Sequence, residues 1–386
     1  MPRPAFFFLA STWRRTLAAG WVALGLVACT PLPSPPPATG LPPDLQPDPT
    51  PEVLERPKAR WVPTGFDALP GWGEDALAEW WPALRQSCSR PAVGWQRVCE
   101  HVLSRPTIDG DAAWLRPWVE RTFQVYRVES PQGQDSGLLT GYYEPQLRAS
   151  RTPTAQYRVP LYAPPADLNK RQPYWTRREL DTVPAAQAAL KGREIAWLED
   201  PLDALVVQIQ GSGQLLFQDA DGRLSAARLA FAGHNGQPYR SVGAWLISQG
   251  QLKASEASWP GIKDWVRRNP RRLQEMLWQN PRMVFFALEP LPEPIQGPRG
   301  AQAVPLTPAR SIAVDPGSVP YGTPVWLAST DPTLATPLHR LVMAQDTGSA
   351  ITGAVRADYF WGWGDTAATQ AGRTRQNLRM WVLWPR

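Results

Sequence analysis

Residues 344–360 read A-Q-D-T-G-S-A-I-T-G-A-V-R-A-D-Y-F. The apolar run Leu341-Val342-Met343-Ala344 leads into Asp346-Thr347-Gly348-Ser349, and a second strand-like segment, residues 353–358, ends on Asp358. Asp346 and Asp358 are twelve residues apart. A turn and a strand separate them, so both acids can return to one end of a barrel. A third acid, Asp315 in Val314-Asp315-Pro316-Gly317-Ser318, lies in another turn. Three acids in turns of one β-domain form a candidate cleft; the alternative is that they fix their own turns by side-chain to backbone bonds.

Asp-Thr-Gly also occurs in pepsin-like aspartic proteases, which need two such loops sharing a proton. This chain has one. Asp315 is followed by Pro316 rather than Thr, and only 40 residues follow Asp346, too few for a second lobe. A protease is therefore set aside.

Working outward, residues 303–385 hold short apolar segments at 311–314, 323–327, 339–344, 353–358 and 378–384, separated by Gly and Pro, which reads as strands. Residues 157–162 and 202–210 read the same way, and residues 138–147 alternate before ending in turn formers. Helical spacing marks residues 75–85 and 114–127 within a helical stretch at 67–128, and again 241–249 and 260–279. The pattern predicts a mainly β protein, rich in β-barrel, with peripheral helices.

The N-terminus carries Arg3, Arg14 and Arg15, then an apolar stretch to Ala28, then Cys29. This is a secretory signal, and Leu26-Val27-Ala28-Cys29 resembles a bacterial lipobox in which Cys29 becomes the lipidated first residue. The alternatives are an ordinary signal or a membrane anchor. The apolar run is short for a membrane span of about 20 residues. Thr30, not Asp, follows, which by the usual sorting rule implies an outer-membrane lipoprotein facing the periplasm. Residues 31–51 hold ten prolines and read as a semi-rigid tether or a disordered tail. Cys88 and Cys99 remain, an even pair in an exported chain, read as a local disulfide or as two buried thiols.

The net charge of +6 loses three arginines with the signal, leaving 37 basic against 34 acidic residues. That balance does not mark a nucleic-acid binder. His101, His234 and His339 show no ligand spacing, so no metal or cofactor is expected. Twenty tryptophans is a high count; some belong to cores and others are candidate platforms for sugar rings, which composition alone does not sort.

Several motifs then occur in order: Leu69-Pro70-Gly71-Trp72, Thr140-Gly141-Tyr142-Tyr143-Glu144-Pro145, Gln208-Ile209-Gln210-Gly211-Ser212-Gly213, the segment from Gly233-His234-Asn235 to Tyr239-Arg240, Asn280-Pro281-Arg282, Val314-Asp315-Pro316, Asp346-Thr347-Gly348, and Arg356-Ala357-Asp358-Tyr359-Phe360. The last three resemble the aspartate motifs of the 3D domain. The whole chain resembles the membrane-bound lytic murein transglycosylase A family. One departure is Ser349, where that family usually has a second glycine.

The resemblance implies a double-psi β-barrel with a smaller inserted β-domain and a groove between them. The barrel would take residues 52–146 and 293–386, the insert 147–292, after a signal at 1–28 and a tether at 29–51. It implies a peptidoglycan lytic exotransglycosylase that cleaves the β-1,4 bond between N-acetylmuramic acid and N-acetylglucosamine and leaves 1,6-anhydromuramoyl ends. An ordinary glycosidase uses two carboxylates; here the substrate's own C6 hydroxyl attacks, and one carboxyl suffices. Asp358 matches the family's catalytic acid, with its pKa raised by aromatic neighbours and by Asp346 as the supporting acid. Thr140, Tyr142, Gln210, Gly211, Ser212 and Gly213 become substrate-binding candidates, with Asn235, Tyr239 and Arg240 of lower standing; Asp346 and Glu144 are the rival acids to Asp358, and Asp315 is structural. The implied partner is the peptidoglycan glycan strand. The competing readings are a glycan-binding barrel that does not cut, and a peptidoglycan hydrolase.

Overall fold

The computed structural model describes residues 51–105, 112–218, 222–292 and 295–386. The signal segment, Cys29 and the tether through Thr50 lie outside the described residues. Fifteen strands are described. They are β1 (Leu54–Glu55), β2 (Arg60–Thr64), β3 (Phe123–Glu129), β4 (Gly137–Glu144), β5 (Gln146–Ala149), β6 (Val159–Tyr162), β7 (Glu194–Leu198) and β8 (Gly213–Gln218). Then come β9 (Leu224–His234), β10 (Val284–Pro290), β11 (Ser311–Val314), β12 (Pro324–Thr330), β13 (Pro337–Asp346), β14 (Arg356–Trp363) and β15 (Arg375–Pro385).

Nine strands form one sheet in the order β1-β2-β3-β15-β12-β13-β11-β14-β4. β4 also pairs with β15, so β15, β12, β13, β11, β14 and β4 close on themselves. Closure removes the free edges that such strands would otherwise expose. Two of the pairings are parallel, β11 with β13 and β14 with β4; the others in the ring are antiparallel. This is the double-psi barrel.

The period-2 alternation of strands explains how the barrel is filled and covered. Val325, Leu327, Val342, Ala344 and Val382 pack inside with Ile312, Val314, Ala357 and Tyr359. Their neighbours Trp326, Leu341, Met343 and Trp381 pack outward against Trp80, Trp81 and Leu84 of the N-terminal helical segment. That segment is fastened by Arg310, which donates to both Asp75 oxygens at 2.8 and 2.9 Å and to Glu79 at 2.8 Å. Cys88 and Cys99 within it are joined in a disulfide.

A second sheet, β10-β9-β8-β5, and a two-stranded sheet, β6-β7, make up the intervening part of the chain with its helices. The chain passes from one large sheet to the other between Glu144 and Gln146. At that point Glu144 is fully buried and accepts from Arg228 at 2.7 and 3.1 Å and from Gln214 at 2.8 Å. This carboxylate joins the end of β4 to β8 and β9.

Several elements differ from expectation; the strand expected at 353–358 begins only at Arg356 and runs on to Trp363. Residues 202–210 are not a strand but most of a helix, Pro201–Gln210. Asp200 caps its N-terminus, Pro201 takes the first position and Gly211 closes it at φ 84°. Apolar residues run around the helix because it is buried on nearly every side, which erased the helical period. Conversely, the helix expected over 114–127 covers Leu115–Thr122 and gives way to β3, whose Phe-Gln-Val-Tyr-Arg-Val alternation belongs to the sheet. The helix Gly364–Arg373, between β14 and β15, was not anticipated.

Candidate active site

The acids come together through sheet register. Asp358 in β14 lies opposite Thr140 in β4 on one side and Ala313 in β11 on the other. Ala313 in turn lies opposite Asp346 in β13. Thr140, Asp358, Ala313 and Asp346 thus form one row across four strands. Side chains in a row share a face, and the register shift between Ile312 and Ala313 sets Asp346, rather than Gln345, opposite Ala313. One row on, Phe360 lies opposite Tyr142.

Above this row is a cavity of about 230 Å³. Thr140, Tyr142, Arg356, Asp358 and the turn Gly348–Ile351 form its barrel wall; Gln208, Gln210, Tyr239, Asn280 and Arg282 form the facing wall. Asp358 is the one acidic residue among the described residues lining it.

Asp358 is half-buried, and its Oδ1 accepts from the Thr140 hydroxyl at 2.5 Å. Burial pushes its carboxyl up to about 6, opposed by the Thr140 bond and the Arg356 charge and assisted by Asp346. Asp346 accepts from the Ala301 N–H at 3.0 Å and from the Tyr142 hydroxyl at 3.0 Å. Burial raises its carboxyl too, against those bonds. Tyr142 is pushed well above the usual phenol range by burial and by the two nearby carboxylates.

The other candidates divide. Gln210 and Tyr239 line the cavity, and Gln210 Oε1 also accepts from the Tyr143 N–H at 3.1 Å. Gly211, Ser212, Gly213 and Arg240 are not among the lining residues. Gly211 is the helix C-cap, Ser212 is buried, and a Cβ at Gly213 would strike Val207. Arg240 is exposed, and its N–H donates to Asn280 Oδ1 at 3.3 Å. Asn235 is buried and bonded to the carbonyls of Trp175 and Pro281, both at 2.8 Å. Asp315 accepts from Lys58 at 2.9 Å and from the Gly317 and Gly353 N–H groups at 3.0 and 2.9 Å. Burial works to raise its carboxyl, but these donors more than offset it and hold it below the usual range. Ser349 lines the cavity without a left-handed backbone, so serine stands there without strain.

Sequence reading missed the group that holds the far wall. Arg177 is buried and donates to Gln208 Oε1 at 2.6 Å, to the Asn280 carbonyl at 3.0 Å and to the Arg282 carbonyl at 2.6 Å. It lies in Thr176-Arg177-Arg178-Glu179, where the only visible signal was the helix-capping box. Among the described residues no group of His, Cys, Asp and Glu could hold a metal ion.

A family model described as the MltA specific insert domain matches residues 138–287, and one described as the 3D domain matches residues 310–384. The membrane-bound lytic murein transglycosylase A of Vibrio cholerae is 33% identical over 282 residues, 71% of this chain and 72% of that protein. Among solved structures, the lytic transglycosylase LtgG of Burkholderia pseudomallei is 43% identical, with a TM-score of 0.60 over 86% of this chain and 97% of its own. MltA from Neisseria gonorrhoeae is 31% identical, with a TM-score of 0.74 over 88% and 96%. Escherichia coli MltA with bound chitohexaose is 26% identical, with a TM-score of 0.65 over 86% and 93%. Barrel, groove and relatives together define a peptidoglycan lytic transglycosylase. The chain belongs to the membrane-bound lytic murein transglycosylase A family.

Proposed function

We propose that this enzyme cleaves the β-1,4 bond between N-acetylmuramic acid and N-acetylglucosamine with Asp358 as its single acid and base, forming a 1,6-anhydromuramoyl end. The observation that carries this reading is the lone acid on the cavity wall, raised to about 6 mainly by burial. Protonated Asp358 donates its proton to the glycosidic oxygen as the C1–O bond breaks. The resulting carboxylate accepts the C6 hydroxyl proton as O6 bonds to C1. The proton gained and the proton given balance, and no water is consumed. A carboxyl with a pKa near 6 serves both halves, because neither transfer is far uphill near neutral pH.

Asp346 is tied down by Ala301 and Tyr142 and supports this as a fixed charge that raises the Asp358 pKa. The chitohexaose in the E. coli relative supports a glycan strand along the groove, with Tyr142, Gln210 and Tyr239 facing it. The division into a barrel of 52–146 and 293–386 and an insert of 147–292 accords with the change of sheet after Glu144. The relatives are called membrane-bound, and no helix among the described residues is long and apolar enough to cross a membrane. Lipidation of Cys29 and an outer-membrane position facing the periplasm account for both.

Mass spectrometry of digested sacculi tests the reaction. Anhydro ends are expected. Reducing ends would make the enzyme a hydrolase, and an absence of soluble fragments would make it a binding protein.

A further inference from the structure

Arg356 neither gives nor takes a proton in this reaction, yet it reaches the hydrogen bond at its centre. It lies two residues before Asp358 on β14, hence on the same face. Its Nη1 donates to the carbonyls of Ala357 at 2.6 Å and Leu138 at 3.4 Å, which pins the guanidinium across the β14–β4 pair. Its Nη2 donates to Thr140 Oγ1 at 2.9 Å, and Thr140 Oγ1 lies 2.5 Å from Asp358 Oδ1. We propose that Arg356 is a positioning residue that makes the Thr140 hydroxyl a one-way donor to Asp358 Oδ1, and so keeps the transferable proton on Asp358 Oδ2. This rests on the reading of Asp358 as the acid and base.

Counting donors fixes the direction of this bond. A guanidinium has donors only and stays charged; a threonine hydroxyl has a single proton. With Arg356 occupying a lone pair and drawing electron density from the oxygen, that proton goes to Asp358 Oδ1. The 2.5 Å separation is typical of a hydroxyl donating to a carboxylate. An oxygen that accepts so short a bond is a poor seat for the acid's own proton. No described residue makes a hydrogen bond to Oδ2, the oxygen left for the substrate. The same wiring serves both halves of the reaction. Oδ2 gives its proton to the leaving oxygen and later takes the C6 hydroxyl proton, while Oδ1 stays bonded throughout.

Other charged or titratable groups face this set. Tyr142 comes from β4, Asp346 from β13, Arg375 from the start of β15 opposite Thr140, and Arg282 from the facing wall. Asp346 raises the Asp358 proton affinity and Arg356 lowers it. Removing the Arg356 charge therefore moves the high-pH limb of kcat upward, whereas removing a mere structural contact leaves it in place.

The test is steady-state turnover of soluble glycan strands across pH by the full chain and its variants. Arg356→Gln is expected to lower kcat about tenfold, well short of losing the general acid itself, with KM within about twofold and the high-pH limb displaced upward. Arg356→Lys should retain the limb position. Thr140→Ser keeps the hydroxyl and should lose much less kcat than Thr140→Val, which should match Arg356→Gln in kcat. In the Thr140→Val background, Arg356→Gln should cost no further kcat. An equal further loss there, or a raised KM with kcat and limb unmoved, overturns the proposal. If Arg356→Gln does not fold, the comparison of Thr140→Ser with Thr140→Val decides, and equal activity in those two overturns it. Asp358→Asn separates the two levels. Turnover in that variant defeats the acid–base reading itself, while an inactive Asp358→Asn beside an unaffected Arg356→Gln defeats only the role of Arg356.

Discussion

Asp358→Asn is expected to trade activity for stability, and the size of the trade follows from the groove. The Asp358 carboxyl rises from an ordinary 3.8 to about 6 in the folded protein, chiefly because burial disfavours its charged form. Below pH 3.8 the acid is protonated in folded and unfolded chains alike and costs nothing. Above about pH 6 it is ionised in both, and the folded state carries the full penalty. The interval between the two values corresponds to about 3 kcal/mol. Asp358 is partly open to solvent, and screening reduces this to about 1–2 kcal/mol. Asparagine keeps an oxygen for the Thr140 hydroxyl and carries no charge. Asp358→Asn should therefore melt roughly 1–3 °C above the wild type at pH 8, with the advantage gone near pH 4, and should release no soluble fragments from sacculi. Paired thermal melts at the two pH values measure the first effect, and fragment analysis the second. Equal melting temperatures at pH 8 would refute the argument from burial. Wild-type turnover would refute the assignment of the acid.

Three further outcomes follow from the same geometry. Asp346→Asn removes a charge that raises the Asp358 pKa, so the high-pH limb of kcat should move down by a fraction of a pH unit; an upward move in pH–rate profiles would contradict this. Glu144→Ala leaves Arg228 buried without its carboxylate and should cost about 3–5 kcal/mol. Denaturant unfolding would read that loss, and a cost under 1 kcal/mol would show that the buried pair does not hold the two sheets together. Arg177→Met releases Gln208 and the carbonyls of Asn280 and Arg282, so KM for glycan strands should rise by more than kcat falls. An unchanged KM would remove Arg177 from the support of the groove wall.

The order of motifs, most of the strand segments from Ser311 to Pro385 and the presence of Asp346 and Asp358 in one β-domain were legible in the chain alone. Local alternation, turn residues and the twelve-residue spacing carry that information without reference to distant partners. The helix Pro201–Gln210 was misread because burial on nearly every side shrank its polar face, and with it the period that marks a helix. Arg177 was missed because its three partners are brought to it only by the folded insert, at sequence separations of 31 to 105 residues.

What the sequence determined, then, is which acids exist and that they belong to one barrel; of the three expected in turns, Asp358 lies within β14 and Asp346 ends β13, and only Asp315 is in a turn. What only the tertiary structure decided is their relation. Parallel pairing of β14 with β4 sets Thr140 against Asp358, and pairing of β11 on both sides sets Asp346 one small residue away. The first of these pairings joins strands more than two hundred residues apart, and the other two join segments that local patterning does not align. Their register fixes which carboxyl faces the groove with one oxygen free and which is tied to Ala301 and Tyr142, and no local pattern encodes that.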